Sequence, residues 1–232
     1  MSDNDGRRLA GIAILSDLRP SELAAVEQSC RWRHYAVHEQ IIDRQSDSRD
    51  VYFVVSGKVR VVNYALSGRE VALDDVEDGG YFGELAALDG RPRSASVMAL
   101  TDSVIASLPP DLFLKTLATH PTTALKVMAR LALVVRNSTD RIMDLSTLAA
   151  NNRVHADLLR QARAADDGTN KAVIHPIPLH ADIASRVSTT RETVARVLND
   201  LARQGIVKRT KDALVVPDVA RLQQIVEDVR GE

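Results

Sequence analysis

The sequence predicts an α+β chain in three successive parts: short strands closing into an antiparallel barrel or sandwich, one long helix, and a winged helix-turn-helix. Three observations carry this. Between Val37 and Leu108, brief β-prone runs alternate with Gly and polar turns at close spacing. Between Thr122 and Leu148 there is neither Gly nor Pro, and apolar residues recur on alternating steps of three and four. Beyond about Ala150, helical runs flank a short Val187-Ser188-Thr189 turn and are followed by β-prone segments. At 232 residues, 45% hydrophobic and 26% charged, the chain is long enough for two cores and has the composition of an ordinary globular protein.

Leu9 to Cys30 reads as short helices, with a helix start at Pro20-Ser21-Glu22-Leu23. Strands then follow at Val51 to Val55 and, after Ser56-Gly57, at Val59 to Tyr64. The Leu66-Ser67-Gly68-Arg69 turn leads to Val71 to Leu73, and further strands at Ala95 to Leu100 and Val104 to Leu108 bring the set to about eight. Pro109-Pro110 ends them. In the long helix, Met128, Leu131, Val135, Ile142, Leu145 and Ala149 form the seam of a two-stranded coiled coil. The step after Val135 lands on Ser138, with Thr139 beside it. Two hydroxyls in an apolar seam either set register or meet a polar ligand, and the spacing leaves both open. Helices follow at Arg153 to Ala164, Leu179 to Val187 and Thr190 to Gln204, with wing strands at Ile206 to Arg209 and Ala213 to Val216. Asp166-Asp167-Gly168-Thr169-Asn170 reads as a surface loop.

Net charge is -1, from 30 Lys+Arg against 31 Asp+Glu, but position changes its meaning. From Arg186 to Lys211 the cations are Arg186, Arg191, Arg196, Arg203, Lys208, Arg209 and Lys211, against Glu192 and Asp200. This stretch therefore carries +5 and the rest of the chain -6. A local basic face is what neutralising nucleic-acid phosphates requires. With aromatics at 3%, bases stacked on aromatic platforms are a poor expectation. The single cysteine, Cys30, excludes an internal disulfide and cannot alone hold zinc or an iron-sulfur cluster, so a buried inert thiol is expected. Met1 to Arg8 is polar and no long apolar run occurs, so a cytoplasmic protein without membrane contact is expected. No metal-binding His pair, nucleophile elbow or P-loop occurs, and an enzyme is not expected. His120, His155, His175 and His180 read as surface or capping residues.

Two constellations carry chemistry. The first is Phe82-Gly83-Glu84-Leu85-Ala86-Ala87-Leu88 with Arg91-Pro92-Arg93-Ser94-Ala95-Ser96. Gly83 permits close backbone approach, and the helical turn after it can present an N–H nest to an anion. Arg93 is a permanently charged fork for phosphate oxygens, and Ser94 adds a hydroxyl. Glu84, acceptor-only when ionised, suits a sugar hydroxyl and repels a phosphate. A plain Glu84–Arg93 salt bridge closing the loop is the simpler reading of the same residues. The second constellation is Ser188 to Leu198. Arg191 and Arg196 lie near one another beside Glu192 on a helix, while Val194, Val197, Leu198 and Leu201 turn inward. Arg reads guanine through O6 and N7, and Glu accepts from cytosine N4.

The first string resembles the phosphate-binding cassette of cyclic-nucleotide-binding domains, and Tyr52-Phe53-Val54-Val55-Ser56-Gly57-Lys58-Val59 matches that family's strand signature. Ser46 departs from the family's usual Gly, at a turn expected on the far side from the ligand. Arg191-Glu192-Thr193-Val194-Ala195-Arg196 resembles the recognition-helix signature of the cyclic AMP receptor type. Taken together, the chain resembles the CRP/FNR superfamily of bacterial transcription regulators over nearly its whole length.

That resemblance implies a jelly-roll sensor domain over residues 1–120, a dimerisation helix and hinge over 121–149, and a winged helix-turn-helix over 150–232. It implies cyclic AMP as ligand, with cyclic GMP or constitutive DNA binding as the alternative. Glu84 would take the ribose 2′-hydroxyl, Arg93 and Ser94 the cyclic phosphate, and Gly83, Leu85 and Ala86 would line the pocket. Ser138 and Thr139 fall where the family contacts adenine across the dimer. The implied partners are double-stranded DNA at a TGTGA palindrome, a second copy of the chain, and RNA polymerase. The family's polar phosphate contacts at the start of the first reading helix are replaced by Leu179 and Ala181, with His180 between them, so backbone clamping is expected to be weaker or supplied elsewhere, for instance by Thr190, Thr193 and Lys208. Iron-sulfur sensing lacks cysteines, and His34 and His38 come too early for a haem ligand.

Overall fold

The computed structural model describes residues 9–165 and 168–230. It falls into two compact units, residues 1–134 and 135–232.

In the first unit, two 3-10 turns, Leu9–Gly11 and Ala13–Leu15, precede helix α1, Pro20–Ser29. Pro20 suits a first helical position, and the Glu22 carboxylate accepts the Arg19 backbone N–H at 2.9 Å, closing the first turn. The strands are β1 Arg31–Tyr35, β2 Gln40–Ile42, β3 Val51–Ser56, β4 Lys58–Tyr64, β5 Glu70–Glu77 and β6 Tyr81–Phe82. After helix α2, Glu84–Asp89, come β7 Ser96–Ala99 and β8 Ser103–Leu108, then helices α3 Pro110–Thr119 and α4 Pro121–Thr147. Two four-stranded antiparallel sheets form, ordered β1-β8-β3-β6 and β2-β7-β4-β5. Tyr35, Ile42, Val54, Val59, Val76, Phe82, Val97 and Ile105 meet between them. The opposite face of β3 turns Val51 and Phe53 into a second core with Leu9, Ile12, Leu15, Phe113 and Val127. Strand alternation thus makes β3 the shared wall of a jelly-roll and a helical layer.

The second unit begins within α4 and continues as α5 Ala150–Ala164, β9 Ala172–Ile174, α6 His180–Val187, α7 Arg191–Arg203, β10 Lys208–Arg209, β11 Leu214–Val216 and α8 Val219–Arg230. Its core gathers Val154, Leu158, Ile183, Val194, Leu201, Val216 and Leu222, all with side chains almost wholly removed from water.

The structure corrects the sequence reading in four places. The wing has three strands, ordered β10-β11-β9, where two were expected. Strand β1, rich in cations and paired only with β8, precedes the expected strand region. Helix α8 was not anticipated. Finally, α4 ends at Thr147, so Ala149 leaves the seam to cap α5. Of the expected 166–170 loop, Asp166 and Asp167 lie outside the described residues. Asn170 caps α8, its side-chain oxygen accepting the Ala220 N–H at 2.8 Å and its backbone oxygen the Val219 N–H at 2.9 Å.

Candidate functional site

In the first unit, β6 delivers the chain to Gly83, which takes φ +83° immediately before α2. A side chain there would also lie 2.8 Å from Arg93 Nη1 and 3.0 Å from the Asp50 carbonyl oxygen. Conformation and space both demand glycine. Phe82 stacks parallel on Tyr52 at 5.2 Å, and the Arg93 guanidinium lies over the same Tyr52 ring at 5.5 Å.

Arg93 is only 5% exposed. Its Nη1 donates to the Gly83 carbonyl at 2.9 Å, and its Nη2 donates to the Asp50 carbonyl at 2.8 Å and the Ser48 hydroxyl at 2.9 Å. Backbone and hydroxyl oxygens thus hold Arg93, and not the plain bridge to Glu84 that was the simpler alternative reading. Its Nε–H is buried with no hydrogen-bond partner among the described residues, and burial lowers its pKa below the ordinary value. The loop carrying Ser46 was expected away from this site, yet Ser48 and Asp50 of the same loop touch Arg93 and form part of its wall. Ser94 is exposed, and its carbonyl accepts from Asn63 Nδ2 at 3.2 Å. Of the other cassette residues, Ala86 is buried and Leu85 exposed.

Glu84, the first residue of α2, is half-buried, and burial raises its carboxyl above the usual range. Its own N–H and the charges of Arg130 and Arg93 oppose that rise, while Asp74 adds to it. Arg130, on α4, forms an ion pair with Asp74 on β5. The β4/β5 register pairs Val59 with Val76 and Val61 with Asp74, so Asp74 shares the inward face with core residues. Its neighbour Asp75 turns to the other face, where both oxygens receive Arg60 at 2.7 and 2.8 Å. Sequence reasoning missed Ser48, Tyr52, Asp74 and Arg130 as members of this group. For Tyr52 the strand signature was the available signal; for Asp74 and Arg130 only the tertiary fold joins them.

Ser138 and Thr139 lie on the exposed surface of α4 in the second unit. The Thr139 hydroxyl donates back to the Val135 carbonyl at 3.0 Å.

In the second unit, Ser188 ends α6 in the left-handed region at φ +53°, and the Thr189 N–H reaches the Ala184 carbonyl at 3.0 Å, closing the turn. Thr190 is the N-cap of α7. Its hydroxyl accepts the Thr193 N–H at 3.2 Å and lies 3.2 Å from the Thr193 hydroxyl. Both threonines therefore have a capping role. Val194, Val197 and Leu201 are buried against the core with Leu198 packed beside them, which leaves Arg191, Glu192 and Arg196 exposed on the opposite side of the helix. Arg196 also donates to the Asn151 side chain on α5 at 3.2 Å. Arg153 clamps the turn: its Nε donates to Val187 O at 2.9 Å, Nη1 to Leu148 O at 2.9 Å and Nη2 to Ser188 O at 3.2 Å.

The seven cations of the basic stretch are not equivalent. Arg186 is bound to the buried Asp157 at 3.0 Å, and Arg203 is ion-paired with Asp200. Lys208, Arg209 and Lys211 are exposed on the wing. His155, expected at the surface, is instead half-buried within α5, and burial lowers its pKa. Cys30 is half-buried, and burial pushes its thiol up to about 12, as an inert cysteine requires. Among the described residues, no helix is long and apolar enough to cross a membrane and no metal-binding cluster of acidic, His or Cys side chains occurs.

Comparison with known proteins matches both constellations. The family described as cyclic nucleotide-binding domain matches residues 32–120, and that described as Crp-like helix-turn-helix domain matches residues 152–225. The chain is 30% identical over 219 residues to the cyclic AMP receptor protein of Thermus thermophilus, covering 94% of this chain and 98% of that one. It is 26% identical to the CRP-like cAMP-activated global transcriptional regulator of Mycobacterium tuberculosis, covering 92% of this chain and 96% of the other. Among solved structures, a CooA mutant from Carboxydothermus hydrogenoformans superposes with a TM-score of 0.79 at 22% identity, covering 92% of this chain and 94% of that one, a likeness of fold.

Proposed function

The chain belongs to the CRP/FNR superfamily of cyclic-nucleotide-binding transcription regulators, and from that premise we propose that it is a homodimer whose binding to a TGTGA-type palindrome is switched on by cyclic AMP. The observation that carries this is the preformed cassette: Gly83, Glu84 and Arg93 already stand together, with Arg93 fixed by three acceptors.

In this reading Glu84 accepts the ribose 2′-hydroxyl, while Arg93 and Ser94 take the cyclic phosphate. The unpartnered Arg93 Nε–H is a donor that a phosphate oxygen satisfies. Being rigid before binding, the guanidinium loses little freedom when the ligand arrives. The names of the Thermus and mycobacterial relatives support cyclic AMP over other nucleotides. Dimerisation is supported by α4, where Met128, Val135, Ile142 and Leu145 are 55%, 64%, 62% and 41% exposed along one seam. Ser138 and Thr139 interrupt that seam and, on the family pattern, receive adenine across the dimer. Residues 1–120 then act as sensor, 121–149 as dimer helix and hinge, and 150–232 as reader.

Arg191, Glu192 and Arg196 read base edges, with Lys208 and the α7 N-terminus at the backbone. Two α7 helices about 34 Å apart meet successive major grooves. RNA polymerase is the protein partner that this reading implies. To move a 1:99 mixture to 99:1, the nucleotide must favour the DNA-competent state by about 5.5 kcal/mol.

The test is a mobility shift on a TGTGA palindrome with and without cyclic AMP, beside titration calorimetry with cyclic AMP and cyclic GMP. The expected result is a shift that requires cyclic AMP; one indifferent to nucleotide overturns the switch. Arg191→Ala is expected to relax the preference at one guanine, and a uniform loss on all sequences overturns the base-reading role.

A further inference from the structure

We propose that Ser48 is a ligand-binding residue of the nucleotide pocket, its hydroxyl donating to the same phosphate oxygen that the Arg93 Nε–H holds. The inference rests on the nucleotide reading above and deepens it, adding a donor from a loop outside the cassette.

A guanidinium presents its N–H bonds in one rigid plane. Arg93 Nη1 donates to the Gly83 carbonyl at 2.9 Å, while Nη2 donates twice, to the Asp50 carbonyl at 2.8 Å and the Ser48 hydroxyl at 2.9 Å. The two carbonyl-bearing segments adjoin, since a Cβ on Gly83 would stand 3.0 Å from the Asp50 oxygen. They therefore take the end of the guanidinium between them. Ser48 is left with the Nη2 hydrogen that runs parallel to Nε–H, and that side edge is a fork on which an arginine grips two oxygens of one anion. Ser48 holds one tine. The other is the Nε–H, buried and without a hydrogen-bond partner among the described residues.

Because the tines are adjacent and parallel, an oxygen seated on Nε–H comes within hydrogen-bond reach of the Ser48 hydroxyl. As an acceptor from Nη2, that hydroxyl keeps its own proton to donate. The Tyr52 hydroxyl stands 3.4 Å from it, too far to compete strongly. The Asp50 carboxylate, on the same loop, is engaged by Arg31. Ser48 is exposed whereas Arg93 is almost wholly buried, so the serine can turn its proton to an arriving anion while the guanidinium stays fixed. The phosphate oxygen then receives one donor from each residue, and the serine need not be displaced.

The experiment is titration calorimetry on the full chain, wild type, Ser48→Ala and Ser48→Thr, with cyclic AMP and its two phosphorothioate diastereomers. In each diastereomer sulfur, a weaker acceptor than oxygen, replaces one exocyclic oxygen. Ser48→Ala is expected to bind cyclic AMP about tenfold more weakly, the loss of one hydrogen bond to a charged group. The diastereomer that keeps oxygen facing Ser48 should weaken as much, and the one with sulfur there should change little. The ratio of the two affinities therefore shifts about tenfold between wild type and Ser48→Ala. Ser48→Thr retains the hydroxyl and is expected to retain both the affinity and the ratio. If Ser48 only props Arg93, Ser48→Ala weakens or abolishes binding of all three ligands alike. That result, an unchanged cyclic AMP affinity in Ser48→Ala, or a Thr variant that behaves as the Ala variant overturns the proposal while leaving the nucleotide reading intact. Failure of the wild type to bind cyclic AMP overturns both.

Discussion

Gly83→Ala tests the cassette most directly. The backbone there sits at φ +83°, and an L-residue in the left-handed region costs roughly 1–2 kcal/mol. The new methyl would also stand 2.8 Å from Arg93 Nη1 and 3.0 Å from the Asp50 carbonyl oxygen. Neither neighbour can retreat easily: one is backbone, and the other is a nearly buried guanidinium donating to the Gly83 carbonyl itself. Relief requires Arg93 to give up that charged hydrogen bond, a further loss of about 1.5–3 kcal/mol. The first unit is therefore expected to lose about 2.5–5 kcal/mol, a large share of an ordinary domain's stability. Gly68→Ala is the matched control, because Gly68 has φ +76° and nothing within 4 Å of the added methyl. It incurs the backbone strain alone. Urea unfolding followed by the fluorescence of Trp32, the single tryptophan and part of the first unit's helical core, reads this unit separately. Cyclic AMP affinity should fall with Gly83→Ala and hold with Gly68→Ala. Equal destabilisation by the two substitutions would refute the claim that the cassette's close packing, and not merely its turn, requires glycine.

Cys30, its thiol pushed up to about 12, should resist a thiol reagent at pH 8 in the native protein and react with one equivalent after denaturation; prompt native labelling would contradict its burial. Asp157 is 3% exposed and holds both Arg186 and Arg160. Because those partners keep some solvent, Asp157→Ala should cost the second unit about 2 kcal/mol, less than a fully buried pair, as measured by the loss of amide protection in α6; unchanged protection would show the contact to be idle. For Glu84 the folded state raises the carboxyl pKa by burial, so the folded protein holds that proton more tightly than the unfolded chain. Stability from this group should fall as pH rises from the ordinary carboxylate value, about 4.3, through the raised one, then level off. Glu84→Gln should remove that slope from the thermal melting profile, and an unaltered slope would count against the burial.

What could be read from the sequence followed how local the cause was. The α7 helix was legible because its cap, Thr190, its charged face and its buried Val194, Val197 and Leu201 all lie within a dozen residues. The β3/β4 hairpin was legible for the same reason: Gly57 and the alternating Val residues specify it locally. Strand β1 was missed because Arg31, Arg33 and His34 are exposed on an edge strand with little apolar signal. Helix α8 carried a usable signal, since Val219, Leu222 and Val226 recur at helical spacing and are buried. The Asp74–Arg130 pair had none, because strand and helix residues 56 apart in sequence meet only after the jelly-roll has folded. Arg93 is the instructive case. The motif marked its identity, but only the packing of Tyr52 and the 48–50 loop reveals that it braces the cassette.

The arginines divide into two kinds that look alike in the sequence. Arg93, Arg130, Arg153 and Arg186 hold carbonyls or carboxylates within the folded units, whereas Arg191 and Arg196 stand exposed on α7. Removing Arg186, which Asp157 neutralises, lowers the outward charge of the basic stretch from +5 to +4. What remains sits on α7 and the wing, where phosphates can release counterions, so DNA affinity should still fall steeply with salt. The proposed switch needs an element that runs through both units. The element available for it is α4, which begins in the first unit with the buried Val127 and continues into the second, where the buried Asp144 binds Arg160. Exposed apolar residues on that helix suit it to being held by a second copy, and in the proposed reading nucleotide binding acts by choosing how the two helices pair.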